Sequence, residues 1–204
     1  MLPSSVVIDH LLSYEPTASG TFGVASFYFD FSEPDQYTPA EVLSNLLKQL
    51  ASQLLQLPKQ LKSLYDLGKR DARRPTPKEL RLVLKDTCSQ FHRTFIVCDA
   101  LDECPPQHRP VLLQSFQDMA RCGCKIFITS RPQPQDIQRF FQGAPRIEVT
   151  AKKEDLECYI DQRINSSATR FSLKNRAHEE FITSLIEAAE GMYVKKKSID
   201  WNKH

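Results

Sequence analysis

The chain has 204 residues, of which 41% are hydrophobic, a composition that suits one globular domain with a short appendage and excludes a disordered tail protein. No apolar run approaches the roughly 20 residues of a membrane span, and a net charge of +2 gives no electrostatic reason to expect nucleic acid as a partner. The 6 glycines are scattered, which by itself argues against a glycine-rich phosphate-binding loop.

Six cysteines without a secretory signal favour reduced thiols and a cytoplasmic protein. A zinc site is one interpretation of Cys98, Cys104, His108, Cys122 and Cys124. Their spacing lacks the paired CxxC pattern of structural zinc sites, so we favour small buried side chains instead.

The first half of the chain is predicted to begin with a helix. The patterns then predict a strand over residues 24–31, a leucine-rich helix over 42–55, a short helix over 59–67, a basic loop over 68–75 and a helix reaching residue 91. Thr38 with Glu41, and Thr76 with Glu79, have the spacing of capping boxes, each with proline at the first helical position. Two helix starts are therefore fixed by local sequence.

In the second half, helical and strand patterns continue to alternate. They predict a buried strand over residues 94–98, a helix over 111–119, a buried strand over 125–130, a helical turn over 137–141, a last strand over 145–149 and two capped helices after Thr150 and Ser172. This order predicts an α/β domain with a parallel sheet over residues 1–150, the start of a helical subdomain over 151–193 and a basic tail over 194–204.

Charged side chains follow two of the predicted strands. Asp99, Asp102 and Glu103 come after the strand at 94–98, and Arg131 follows the strand at 125–130. Ligands of doubly wound sheets bind at the carboxyl ends of the strands, where carboxylates suit Mg²⁺ and a guanidinium suits a phosphate. A solvated acidic loop, and an arginine that pairs with Asp99 or Asp102 for structural reasons, remain the alternatives.

Several blocks in order carry a family likeness. The segment FIVCDALDEC at residues 95–104 resembles the extended Walker B segment of NACHT-type STAND NTPases, and KIFITSRP at 125–132 resembles their sensor 1 strand. Similarity extends to residues 27–31, the helix from Thr38 and residues 155–160. The series is most similar to the nephrocystin-type NACHT domain of fungal proteins that carry ankyrin or other repeats, and it covers roughly residues 1–193.

The resemblance implies a P-loop NTPase-like sheet with strand order 5-1-4-3-2 and a site for Mg²⁺ with ATP or GTP. It implies that Asp99 coordinates Mg²⁺, that Asp102 and Glu103 orient the attacking water, and that Thr129 and Arg131 contact the nucleotide. The family also needs GxxxxGK[ST], which this sequence does not contain. By the resemblance, residues 2–11 match the helix that follows this loop, so we expect the first strand and the phosphate loop to be missing.

The expected function is therefore that of a fragment of a nucleotide-controlled oligomerisation switch in signal transduction, unable to bind or hydrolyse NTP alone. Its expected partners are proteins or further copies of the module, with neither nucleic acid nor membrane, and full-length relatives carry a repeat domain. One alternative is a non-catalytic interaction scaffold that joins a larger assembly through the leucine-rich helix over residues 42–55 and the C-terminal helices. Another is an independent Mg²⁺-dependent phosphohydrolase at Asp99, Asp102 and Glu103, which lacks an evident nucleophile or general base.

Overall fold

A computed structural model describes residues 3–13, 21–30, 37–132, 134–149 and 158. The chain divides into two compact units, residues 1–143 and 144–204, and every helix and strand named below lies in the first. The helices predicted after residue 150 and the basic tail lie outside the described residues, apart from Cys158.

Each strand of the first unit is separated from the next by one or more helices. They are α1 (Pro3–Leu12), β1 (Phe22–Tyr28), α2 (Pro39–Ser52), α3 (Lys59–Arg70), α4 (Pro77–Cys88), β2 (Arg93–Asp99), a 3-10 turn (Leu101–Glu103), α5 (Arg109–Arg121), β3 (Lys125–Ile128) and α6 (Gln135–Phe140). The predicted alternation is confirmed over this part of the chain.

The three strands form a parallel sheet in the order β1-β2-β3, with β2 in the centre. Residues Phe22 to Tyr28 lie opposite Arg93 to Asp99, and Phe95 to Cys98 lie opposite Lys125 to Ile128. The α/β fold class with a parallel sheet flanked by helices is confirmed. The strand order agrees with the segment 4-3-2 of the order that the resemblance implies.

Both predicted capping boxes are present. Thr38 Oγ1 accepts the Glu41 amide at 3.3 Å, while the Glu41 carboxylate accepts the Thr38 amide at 3.1 Å. Thr76 and Glu79 repeat the arrangement at 3.4 and 2.8 Å. Each box satisfies amides that have no partner within the helix, so α2 and α4 start where the sequence predicts.

The main core lies between the sheet and the helices α2, α4 and α5. The apolar face of α2 is fully committed to it through Val42, Leu43, Leu46, Leu47 and Leu50. The scaffold interpretation had given this face to a partner, and its burial removes it as a contact surface. Leu55, beyond the helix, is exposed. Four of the six cysteines are buried, as predicted, whereas Cys122 and Cys158 are exposed.

Some predicted boundaries are wrong. The helix α3 runs to Arg70, three residues into the predicted basic loop, because Lys69 and Arg70 suit the negative end of the helix dipole. β3 ends at Ile128 and is only half-buried, since no second strand pairs with it among the described residues.

The last predicted strand does not form. Residues 145–149 have no regular structure, and the side chains of Ile147 and Val149 are exposed. Their alternating polarity matches a strand, but a strand also requires a hydrogen-bonding neighbour, which the described residues do not provide.

The helices in the described part of the chain are all too short or too polar to span a membrane.

Candidate functional site

The carboxyl ends of β2 and β3 bring the predicted site residues together. Asp99 is the last residue of β2, and Thr129 directly follows β3. The Thr129 hydroxyl donates to Asp99 Oδ1 at 2.6 Å and accepts the Ala100 amide at 2.9 Å. Its backbone amide donates to the Cys98 carbonyl at 2.9 Å. Thr129 therefore fixes the carboxylate of Asp99, a residue that is 9% exposed as a whole.

The acidic loop, residues 99–104, turns sharply after the strand. Ala100 has a φ of +52°, in the left-handed region that non-glycine residues seldom adopt. Leu101 is fully buried, and its amide donates to the Thr129 carbonyl at 3.0 Å. The following 3-10 turn presents Asp102 and Glu103 toward the end of β3. Burial of Leu101 and the bond from its amide offset the cost of the unusual backbone conformation.

Arg131 closes this loop. Its guanidinium lies 3.5 Å from Asp102 Oδ2 and 3.1 Å from Glu103 Oε1, and its backbone amide donates to Asp102 Oδ1 at 3.2 Å. The Arg131 side chain is 73% exposed, whereas those of Asp102 and Glu103 are 9% and 15% exposed. Arg131 therefore pairs with Asp102, as the structural alternative predicted. Its second partner is Glu103 and not Asp99.

A second arginine, which the sequence analysis missed, supports the loop from within. Arg109 begins α5 and is 7% exposed. Its Nη2 donates to the carbonyls of Asp102 and Cys104 at 2.9 and 2.8 Å, and its Nη1 donates to the Asp136 carboxylate at 2.9 Å. One feature of the sequence could have indicated this role. An arginine in the first turn of a helix is unfavourable next to the positive end of the helix dipole, so a compensating partner is expected nearby.

The negative charge of Asp99 also reaches β1. Tyr28 lies opposite Asp99 in the sheet register. Partial burial raises the pKa of the Tyr28 hydroxyl, and the charges of Asp99 and of Asp9 on α1 raise it further. The carboxyl edge of the sheet thus gathers several carboxylates, with the guanidinium of Arg131 paired to Asp102 and Glu103 at the loop.

Several of the side-chain atoms that would hold a Mg²⁺–nucleotide group are engaged with other residues of the chain. One oxygen of Asp99 accepts the Thr129 hydroxyl, and Asp102 and Glu103 pair with Arg131. Among the described residues, no group of three or more His, Cys, Asp or Glu side chains is placed to hold a metal ion. The phosphate-loop pattern GxxxxGK[ST] does not occur in the 204 residues.

The fold and the strand-end loop define the class of protein, an α/β domain with a parallel P-loop NTPase-like sheet and an acidic loop at the carboxyl end of its central strand. The chain matches the family described as nephrocystin 3, N-terminal, over residues 2–131. The match covers more than half of the chain, so this protein belongs to that family. No curated protein matches it.

Proposed function

We propose that this chain is the α/β core of a NACHT-type signalling module and that it neither binds nor hydrolyses NTP by itself. One observation supports the proposal most strongly. The residues that the resemblance assigns to the nucleotide are engaged with one another, Thr129 with Asp99 and Arg131 with Asp102 and Glu103.

The local charge supports the same proposal. Four carboxylates, those of Asp99, Asp102, Glu103 and Asp136, lie near the two guanidiniums of Arg131 and Arg109, so an incoming triphosphate meets net negative charge. A phosphate-loop lysine and a bound divalent cation normally neutralise such a site. The chain contains no phosphate-loop pattern to supply that lysine.

The proposed role is assembly in signal transduction. In a STAND-type module, bound nucleotide controls association, and the Walker B-like loop of this chain is the segment that would report it. We place its partners among proteins, including further copies of the module, in the cytoplasm. We further propose that its relatives include fungal proteins in which the module is followed by a repeat domain.

A calorimetric titration with Mg-ATP tests the proposal. The 204-residue chain should give no micromolar binding, whereas a chain extended upstream by a strand and a GxxxxGK[ST] loop should bind. The matched control is the same extension with alanine in place of the loop lysine, which should lose the restored affinity. Micromolar binding by the unextended chain contradicts the claim of inactivity, and an extension that restores nothing contradicts the NACHT assignment.

A non-catalytic interaction scaffold is the second candidate function. The closed acidic loop fits it as well, since a scaffold needs no nucleotide. Light scattering after size exclusion distinguishes the two, because the scaffold requires a stable folded oligomer without nucleotide. With the α2 face buried, its contacts have to come from other surfaces.

A further inference from the structure

The outer edge of β1 is covered by two glutamine side chains rather than by another strand. Gln53 accepts the Val24 amide at 3.0 Å and donates to the Val24 carbonyl at 2.7 Å. Gln49 accepts the Ser26 amide at 2.9 Å and donates to the Ser26 carbonyl at 2.7 Å. Each primary amide thus satisfies both backbone groups of one strand residue, as a neighbouring strand would.

The two glutamines meet the backbone of β1 because residue spacing along the α2 helix is close to residue spacing along the strand. Residues four apart on a helix are separated by about 6 Å along its axis, and residues two apart on a strand by about 6.6 Å. Because α2 runs antiparallel to β1, Gln53 meets Val24 while Gln49 meets Ser26. A helix that packs beside an edge strand can therefore satisfy two successive outward-facing positions.

The covered segment has the composition of a strand that pairs readily with other chains. Residues 22–29 read FGVASFYF, with no charge and no proline. Edge strands are usually protected by charged side chains, by proline or by bulges, because their open backbone groups are a template for another strand. This segment contains neither charge nor proline, so the glutamine pair provides protection that its own side chains do not.

We propose that Gln49 and Gln53 guard the outer edge of β1 against strand addition by a second copy of this chain. The second copy is the expected occupant because its own β1 presents the same uncharged, aromatic segment, with no like charges to oppose pairing. Gln53 is exposed and Gln49 half-buried, so loss of the guard opens the edge without opening the core.

The double variant Gln49→Ala/Gln53→Ala tests the guard by light scattering over a range of concentrations. We expect its mass to rise with concentration to at least twice that of the wild type, with a gain of β signal in circular dichroism. The control Gln56→Ala/Gln60→Ala removes two exposed glutamines that make no hydrogen bond to β1, and should keep the wild-type mass. A folded double variant with the wild-type mass at every concentration overturns the proposal.

Single variants keep the test decisive if the double variant fails to fold. In dilute solution, where light scattering shows a monomer, Gln53→Ala should accelerate hydrogen exchange of the Val24 amide by roughly tenfold, and Gln49→Ala should do the same for Ser26, since each removes the acceptor of that amide. The amide of Ala25, which faces β2, should keep its rate in both. Unchanged exchange at Val24 and Ser26 overturns the proposal.

Discussion

Arg109 links three segments at the scale of a single residue. Its guanidinium joins the carbonyls of the acidic loop to Asp136 on α6, while its backbone begins α5. A cation in the first turn of a helix is unfavourable, yet here the side chain leaves the helix end and donates to the neighbouring carbonyls. The position of the acidic loop therefore depends on a residue outside it.

Replacement of Arg109 by alanine should destabilise the domain by about 2 to 4 kcal/mol, because two carbonyls lose their donor and Asp136 loses its partner. The loss is large because the Arg109 side chain is only 8% exposed. Urea unfolding measures the loss. Arg121→Ala, which removes an exposed arginine paired with Asp118 at 3.5 Å, should cost no more than about 0.5 kcal/mol. Equal losses in the two variants contradict the assigned role of Arg109.

At the scale of elements, a charge network holds the start of α4. The Glu79 carboxylate accepts the Thr76 amide at 2.8 Å and pairs with Arg73 Nη2 at 2.6 Å. The pKa of Glu79 is held well below its ordinary value of 4.5, mainly because its carboxylate accepts a hydrogen bond from the Arg73 guanidinium. The hydrogen bonds from Thr76 lower the pKa further. A lowered pKa in the folded state stabilises the fold above the ordinary pKa, and the contribution is lost as the pH falls toward the folded value.

This predicts a pH-dependent difference between the wild type and Glu79→Gln. The wild type should be more stable at pH 7, and the difference in unfolding free energy should shrink as the pH falls below 4.5. Urea unfolding at a series of pH values measures it. Asp86→Asn, which changes a carboxylate without an arginine partner among the described residues, serves as the control. A difference that stays constant down to pH 3 contradicts the prediction.

The elements that could be predicted are those determined by local sequence. The capping boxes and the apolar spacing of α2 and α4 depend on residues within one segment, and both helices begin as predicted. The prediction of a strand at 145–149 was wrong because a strand forms only with a hydrogen-bonding partner, which is distant in sequence. In the site, the spacing predicted which residues gather at the strand ends. The pairing of Arg131 with Asp102 and Glu103, and the support from Arg109, depend on three-dimensional geometry that spacing does not determine.

At the scale of the whole molecule, the sheet, the acidic loop and the missing phosphate-loop pattern lead to one account. The chain has the framework of a P-loop NTPase-like domain, and the carboxylates of its acidic loop are held by Thr129 and Arg131. The central claim is that folding of this chain is not coupled to Mg-NTP. Any ligand that binds only the folded state must raise its stability, so the claim can be tested on the unmodified protein.

Thermal unfolding with and without about 1 mM Mg-ATP is the most direct measurement, with Mg²⁺ alone as the control. A dissociation constant of about 10 μM would stabilise the fold by about 2.7 kcal/mol and raise the Tm by roughly 5 to 10 °C for a chain of this size. The account predicts the same Tm in both conditions. A rise of several degrees that requires the nucleotide would contradict it.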